Sequence, residues 1–462
     1  MALFNLLNIN AASLNSFQKG IDLVNKNINN VNNKDYAKER ANFAELAPYG
    51  VTLKEAYRVF DQRYFDRYLH ENQKFHYYDE AASSLESVES IFNDVLGSGM
   101  AKDFNEYFKA VNGIVNEPDN LAARQTFIEK AKVLVAKFHD AYDSIENDKN
   151  NLQLSMQTEA QTINRLSKQL ALLNKKIAGQ PKNLIPEQEK LNTLLNERDK
   201  VLKELSSHID VKVRYNANNT ADVFSAKGHA LVLADRSYEI TLQKAAKDLG
   251  HGLQTFSTQV LINGVELTND FSKGSFAAKL HTENFLDTTL AKLNNLVNTF
   301  ATKNNDILTQ VGSYDYDGNT PGKALFKASD GGTINLSTIE VNDIKPEEIA
   351  AAKSAAKSDN SNIKELYALK NTPLAELDNK TFENYYITFV ADIGNERNKF
   401  RALAKDSEAM VNALDDKMQE ISGVNLDEEL VNLTQLQRSY QAAARVINVT
   451  DKLLETVMHM VD

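Results

Sequence analysis

The residues with the best claim to chemistry fall into a few short groups, and their spacing argues against each as a site. Asp315, Asp317 and Asn319 in YDYDGN imitate the first half of a calcium loop, whose oxygen ligands alternate along the chain. The bidentate glutamate that should close such a loop is missing and Phe326 stands in that place, so a tight turn is expected. Gly250-His251-Gly252 starts like a dinucleotide loop, but it lacks the third glycine and a strand–turn–helix frame, which leaves a plain turn. His70 and His76 do not fall on one helical face. Asp427, Glu428 and Glu429 could serve acid–base work, yet at the first turn of a helix they answer the positive end of its dipole, which accounts for them fully. The phosphate loop GxxxxGK[ST], the zinc helix HExxH and the nucleophile elbow GxSxG are all absent from the sequence. No catalytic, cofactor-binding or metal-ligating residue is assigned, and an enzyme is not expected.

Composition narrows the classes further. The 462 residues contain no cysteine, which excludes disulfides, thiolate nucleophiles and cysteine-ligated zinc. A formal charge of −11 argues against nucleic acid or an anionic membrane as main partner. No apolar run reaches the roughly 18 residues of a membrane span, so membrane insertion is not expected. The opening MALFNLLNINAASLNSFQKG has no basic region before its apolar segment, so a cleaved secretory signal is not expected either.

The elements that must position any site are helical at both ends. From Leu426, steps of four and three give Leu430, Leu433, Gln437, Tyr440, Ala444, Ile447, Asp451, Leu454, Met458 and Val461. That average step of 3.5 asks for a partner helix along a rod of about 50 Å. The same alternation runs through Leu3, Leu7, Asn10, Leu14, Phe17, Ile21, Val24, Ile28 and Val31. Both could be ordinary bundle helices, but two seams at opposite ends of the chain fit helices that meet each other or other subunits. The polar breaks Gln437 and Asp451 are candidate register or inter-subunit contacts, or solvated positions. The asparagine-rich patch Asn27 to Asn33 ends the first helix, as a solvated loop or as a built feature between two rods.

Between these ends the pattern is helical almost throughout from Val51 to about Ile177, with an aromatic face of Tyr57, Phe60, Tyr64, Tyr68 and Phe75. Pro118 stops one helix and Asp119 or Asn120 caps the next. A polar helix with one apolar stripe covers Asn147 to Ile177. A break at Gly179 to Pro186 and a second helix from Glu187 to about Leu205 make an antiparallel hairpin. The period then changes to short β-branched alternations over about Asp210 to Ser272, with an Asn263-Gly264 turn between strands. Helix returns near Leu286, a loop-rich stretch surrounds SYDYDGNTPGKALF, and helices run from Glu365 through Glu420. The expected fold is mainly α with an inserted β-rich domain, on a discontinuous elongated helical domain whose terminal segments pair as a coiled coil. Expected divisions are 1–50 and 423–462 for the terminal segments, 51–209 and 273–422 for the helical domain, and 210–272 for the insertion.

The residues also carry a resemblance. Ser422 to Leu454, SGVNLDEELVNLTQLQRSYQAAARVINVTDKLL, resembles the carboxyl-terminal motif of the bacterial flagellar axial proteins, the rod, hook and hook-associated proteins. Asn27, Ile28, Asn30, Asn32 and Tyr36 are similar to that family's NIAN-x-NT-x-GY signature, although Lys34-Asp35 replaces the usual Pro-Gly and Lys38-Glu39 the usual Arg-Gln. Inside the chain, Asn116 to Phe138 and Leu194 to Val213 are similar to the helical region of the hook-associated members.

The resemblance implies a structural subunit at the junction between hook and filament. It also implies export through the flagellar type III apparatus to the extracellular flagellum. The implied partners are other copies of the chain, the hook protein, a second hook-associated protein, and an export chaperone on the last helix. A flagellar hook or rod protein, or a cytoplasmic coiled-coil scaffold, is the alternative. Burying a seam leucine is worth roughly 1.5 to 3 kcal/mol against about 1.5 kcal/mol to order each residue, so the terminal pair alone is marginal and its folding is expected to couple to assembly. Limited proteolysis of a free copy is expected to leave a core near Val51 to Ser422.

Overall fold

The computed structural model describes residues 2–47, 50–92, 99–181 and 185–460. Helix α1 (Ala2–Asn29) leads through a turn into a hairpin of β1 (Glu39–Leu46) and β2 (Gly50–Arg58). Helices α2 (Gln62–Ile91), α3 (Met100–Asn116), α4 (Leu121–Ala178) and α5 (Ile185–His208) follow. Seven short strands then build two sheets. One orders β3 (Lys212–Tyr215), β4 (Ala221–Phe224), β5 (Ala230–Leu233) and β6 (Arg236–Ser237); the other orders β7 (Ile240–Asp248), β8 (Gln254–Ile262) and β9 (Val265–Glu266). Helix α6 (Gly274–Leu308), a small hairpin of β10 (Phe326–Ala328) and β11 (Ile339–Val341), and helices α7 (Ser361–Ala368), α8 (Phe382–Ser422) and α9 (Leu426–His459) complete the chain.

Several boundaries are where local chemistry puts them. Asn120 caps α4, its side chain accepting from the amides of Ala122 and Ala123, and α4 then runs unbroken for 58 residues, about 87 Å. The glycine-rich turns also hold: Gly250, His251 and Gly252 all take positive φ between β7 and β8, as do Asn263 and Gly264 between β8 and β9. In YDYDGN the Asp315 carboxylate accepts from the amides of Asp317 and Asn319 at 3.0 and 2.7 Å, so it is used up in closing its own turn.

Elsewhere tertiary pairing overrides the local signal. Val51 to Arg58, expected as helix, is strand β2, because it pairs with β1 along its length, and a bulge at Lys54 lets Leu53 and Ala56, three residues apart, both turn inward. Tyr57 therefore leaves the expected aromatic face and is exposed, whereas Phe60, Tyr64 and Tyr68 pack against a core that holds Phe65; Phe75 is half-buried against His76. Helix α6 begins at Gly274 rather than near Leu286. Gly274 has φ +80°, and a Cβ there would lie 2.5 Å from the backbone of His208, so only glycine lets α6 start against the end of α5. The helical stretch expected from Glu365 is interrupted between α7 and α8.

Two large cores lie along the helices. The first joins α3, the first half of α4, the second half of α6, α7 and the start of α8 around Phe104, Tyr107, Phe138 and Phe300. The second joins the second half of α4, α5, the start of α6 and the inward residues Val223, Leu231, Val232, Val260 and Ile262 of both sheets. The strands thus share a core with the helices they follow.

Asparagines on helices close the strand edges. Asn164 exchanges two hydrogen bonds with the backbone of Ile240, both at 2.8 Å, and Asn174 does the same for Ala221 at 2.9 and 2.8 Å. An amide side chain presents the same donor and acceptor as a neighbouring strand, so each pair satisfies buried backbone that would otherwise be costly.

Candidate functional site

The fold brings the first and last helices together as an antiparallel pair beside the β1–β2 hairpin: Asn27 meets Glu429, while Gly20 lies against Leu436. Along α1 the buried line is Ile9, Ser13, Ser16, Gly20, Leu23 and Asn27, with steps of four and three. This line sits one position from the expected seam. Asn10 and Val24 of that seam are buried, but Leu3, Leu7, Leu14, Phe17, Ile21, Ile28 and Val31 are only half-buried. The reason is that α1 serves two neighbours. A Cβ on Gly20 would stand 2.9 Å from the Phe43 ring of β1 and 3.3 Å from Leu436 of α9. The Ser13 hydroxyl accepts the amide of Val51 at 2.8 Å.

On α9 the residues turned inward are Glu429, Leu433, Leu436, Tyr440, Ala443, Ile447, Thr450 and Leu454. Leu433, Tyr440, Ile447 and Leu454 belong to the expected seam; the positions between them shift by one. Leu426, Leu430, Gln437, Asp451 and Met458 are exposed, Ala444 is half-buried, and Val461 lies outside the described residues. Within one copy Gln437 and Asp451 face away from α1 and make no contact with the described residues that registers the pair.

The pair is registered by a buried polar node. Asn27 is wholly buried and uses its full hydrogen-bonding capacity. Its Nδ2 donates to the Glu39 carbonyl at 2.9 Å and to Glu429 Oε2 at 3.1 Å. Its Oδ1 accepts from the Glu39 amide at 3.0 Å and from the Tyr36 hydroxyl at 2.8 Å. Burial, then the nearby carboxylates Glu39 and Glu429, push the Tyr36 hydroxyl well above its ordinary range, so it stays a donor. Arg40 pairs with the buried Glu429 carboxylate and, at 3.0 Å, with the exposed Glu428.

The asparagine patch is therefore a built feature. Asn30 donates to the Lys26 carbonyl at 2.9 Å and helps close the turn, Ile28 is half-buried and Asn32 faces solvent. For Glu429 the helix-dipole account is incomplete: the residue is the buried counter-ion of Arg40, which no local pattern could reveal. Glu39 and Arg40 were equally invisible, since they become partners only through the hairpin. The other chemistry-bearing residues are not assembled: His76 lies beside Phe75, whereas the His70 ring faces Lys273. Among the described residues no group of three or more His, Asp or Glu could hold a metal ion, and no helix is long and apolar enough to cross a membrane.

Comparison with known proteins gives the family. The family model described as "Flagellar hook-associated protein FlgK helical domain" matches residues 85–326, more than half of the chain, and "Flagellar basal body rod FlgEFG protein C-terminal" matches 416–460. The chain is 26% identical to flagellar hook-associated protein 1 of Bacillus subtilis, over 97% of this chain and 96% of that protein. It is 23% identical to the protein of the same name from Salmonella typhimurium, over 99% of this chain and 100% of that one. The solved flagellar hook junction protein FlgK from Burkholderia pseudomallei shares the fold, with TM-score 0.64 and 15% identity over 77% of this chain and 100% of that one. With its helical domain matched across more than half its length, the chain belongs to the FlgK family of flagellar hook-associated proteins.

Proposed function

We propose that this chain is the structural subunit that joins the flagellar hook to the filament, working by assembly and without catalytic turnover. One observation carries the reading beyond family membership. Turned away from α1, α9 exposes apolar residues near both ends, Leu430 and Val431 in its first turns and Val446, Val449, Leu453 and Val457 in its last ones, with the polar stretch from Thr434 to Gln441 between them. Exposed apolar clusters of this kind on a helix are a liability in a lone copy and an interface in a polymer. Packing against other copies would bury these residues and the half-buried Leu7, Leu14, Phe17 and Ile21, and so complete the marginal terminal pair.

On this reading the partners are further copies of the chain, the hook protein on one side, the second hook-associated protein on the other, and an export chaperone on α9 before assembly. The subunit travels through the flagellar type III apparatus to the outside of the cell. The expected break at 50 falls inside the β1–β2 pairing, so the proposed division takes 1–58 and 423–462 as the axial arm, 59–209 and 273–422 as the helical domain and 210–272 as the outer strand-rich part. A helical domain matched over 85–326 favours the junction subunit over a hook or rod subunit.

Deleting the gene and imaging the cells tests the reading. Hooks without filaments, with flagellin shed into the medium, is the expected result, restored by the intact chain. Normal filaments on the deletion strain would overturn it.

A further inference from the structure

One face of α5 carries Gln188, Asn192, Asn196, Asp199 and Lys203, spaced so that all five point the same way. A polar stripe on a helix is ordinarily its solvated face. Here each member engages the segment between α1 and α2. Gln188 accepts the Ala56 amide at 2.9 Å, and Asn192 donates to the Ala56 carbonyl at 3.1 Å and to the Glu39 carboxylate at 2.9 Å. Asn196 accepts the Ala37 amide at 3.4 Å, Asp199 takes the Arg58 guanidinium at 2.7 Å, and Lys203 lies 3.9 Å from Asp35. Asn192 and Asp199 are almost wholly buried, and Glu39 is 1% exposed with Lys26 as its counter-ion at 2.5 Å. Buried polar groups persist where they are matched, and these are matched across two parts of the chain.

We propose that this stripe is a rail that fixes the angle between the arm, formed by α1, the β1–β2 hairpin and α9, and the helical body. A second attachment lies on α8, where the Ser422 carbonyl accepts the Lys38 amide at 2.7 Å and Gln419 donates to the Lys34 carbonyl at 2.9 Å. One attachment would leave the arm free to pivot; two on different helices hold it. Two rail contacts, from Asp35 and Glu39, use the very positions at which this sequence departs from the flagellar signature. The arm therefore meets its neighbours already aimed, which lowers the ordering cost of association. This inference concerns a single copy and stands apart from the junction reading.

The absence of native cysteine permits a direct test on the full chain. Spin labels on Glu45→Cys of the hairpin and Lys168→Cys of α4, both exposed, report the arm-to-body distance by double electron–electron resonance. The parent should give one narrow distribution, and adding Gln188→Ala, Asn192→Ala and Asp199→Ala should broaden or split it with helix content unchanged. If that variant does not fold, Gln188→Ala with Asn196→Ala, two half-buried positions, should broaden it to a lesser degree. A broad distribution in the parent, or an unchanged one in a folded rail variant, would overturn the proposal.

Discussion

Asn27 and Glu429 stand 402 positions apart in the chain, yet the amide of one donates to the carboxylate of the other at 3.1 Å in a site closed to solvent. The bond fixes which turn of α1 faces which turn of α9, and through Arg40 it ties both to the hairpin. Apolar residues alone permit slippage by a heptad; a buried polar contact does not.

Replacing Glu429 should therefore cost far more than replacing its neighbour. Glu429→Ala leaves the half-buried Arg40 only the exposed Glu428 and strands one buried Asn27 donor, a loss of about 2 to 4 kcal/mol in the stability of the arm. Glu428→Ala removes an exposed pair and should change stability by less than about 1 kcal/mol. Hydrogen exchange of the Glu39 amide, which is bonded to Asn27, reads both.

Gly50 is a point of forced closeness. A Cβ there would stand 2.3 Å from Ile9 Cγ2 and 3.1 Å from Ser13 Oγ, so Gly50→Ala must push α1 off the hairpin, at about 1 to 3 kcal/mol. Gly20→Ala meets a ring edge and two leucine methyls that can give way, and should cost less. Thermal melts of the two variants should differ in that order.

Limited proteolysis should separate the arm into a frayed and a held part. The first cuts should fall in α1 before Ser13 and in α9 beyond Gln437, while the node and the hairpin 39–58 stay protected by Glu39, Asn192 and Asp199. This widens the protected core from the expected Val51 to Ser422, so that it begins near Ser13 and ends near Gln437, enclosing the Asn27–Glu429 contact. Mass spectrometry of the fragments decides; early fragments starting beyond Arg58 would contradict it.

The two faces of α9 should separate under mutation. Val449 is 58% exposed, so Val449→Asp should leave the melting of a free copy within about 0.5 kcal/mol while filaments are lost from complemented cells. Ala443 is buried against α1, and Ala443→Asp should lower both. Ile447→Asp and Leu454→Asp, half-buried, should block assembly with the helical body still folded.

The body should lose stability in mild acid. His281 packs its ring against Phe400 at 5.4 Å, its Nδ1 is buried without a partner, and burial lowers its proton affinity below the ordinary value of 6.5. His76 is lowered for the same reason. The unfolded chain then binds protons that the folded one resists, so stability is full above pH 6.5 and falls as pH drops through that value toward the folded one. Melting temperatures taken stepwise from neutral pH downward should decline, and His281→Leu should flatten part of the slope.

The sequence by itself determined that the chain is mainly helical with strands set into it, that a helix starts after Asp119 or Asn120, that DYDGN and GHG are turns, and that two helices at opposite ends carry the 3.5-residue period. Each rests on short-range chemistry: caps, turn residues and periodicity act within a few residues of their cause. Tertiary structure alone decided which flank of each seam turns inward, because the period gives a spacing but leaves the phase to the neighbours, and α1 has both a helix and a hairpin to satisfy. It also decided that Val51 to Arg58 is strand, since its partner β1 is separate from it and equally ambiguous. The asparagines show the limit best. A local reading makes them turn formers, whereas Asn27 and Asn164 occupy helices and stand in for a missing strand, a role that exists only once distant backbone is brought beside them.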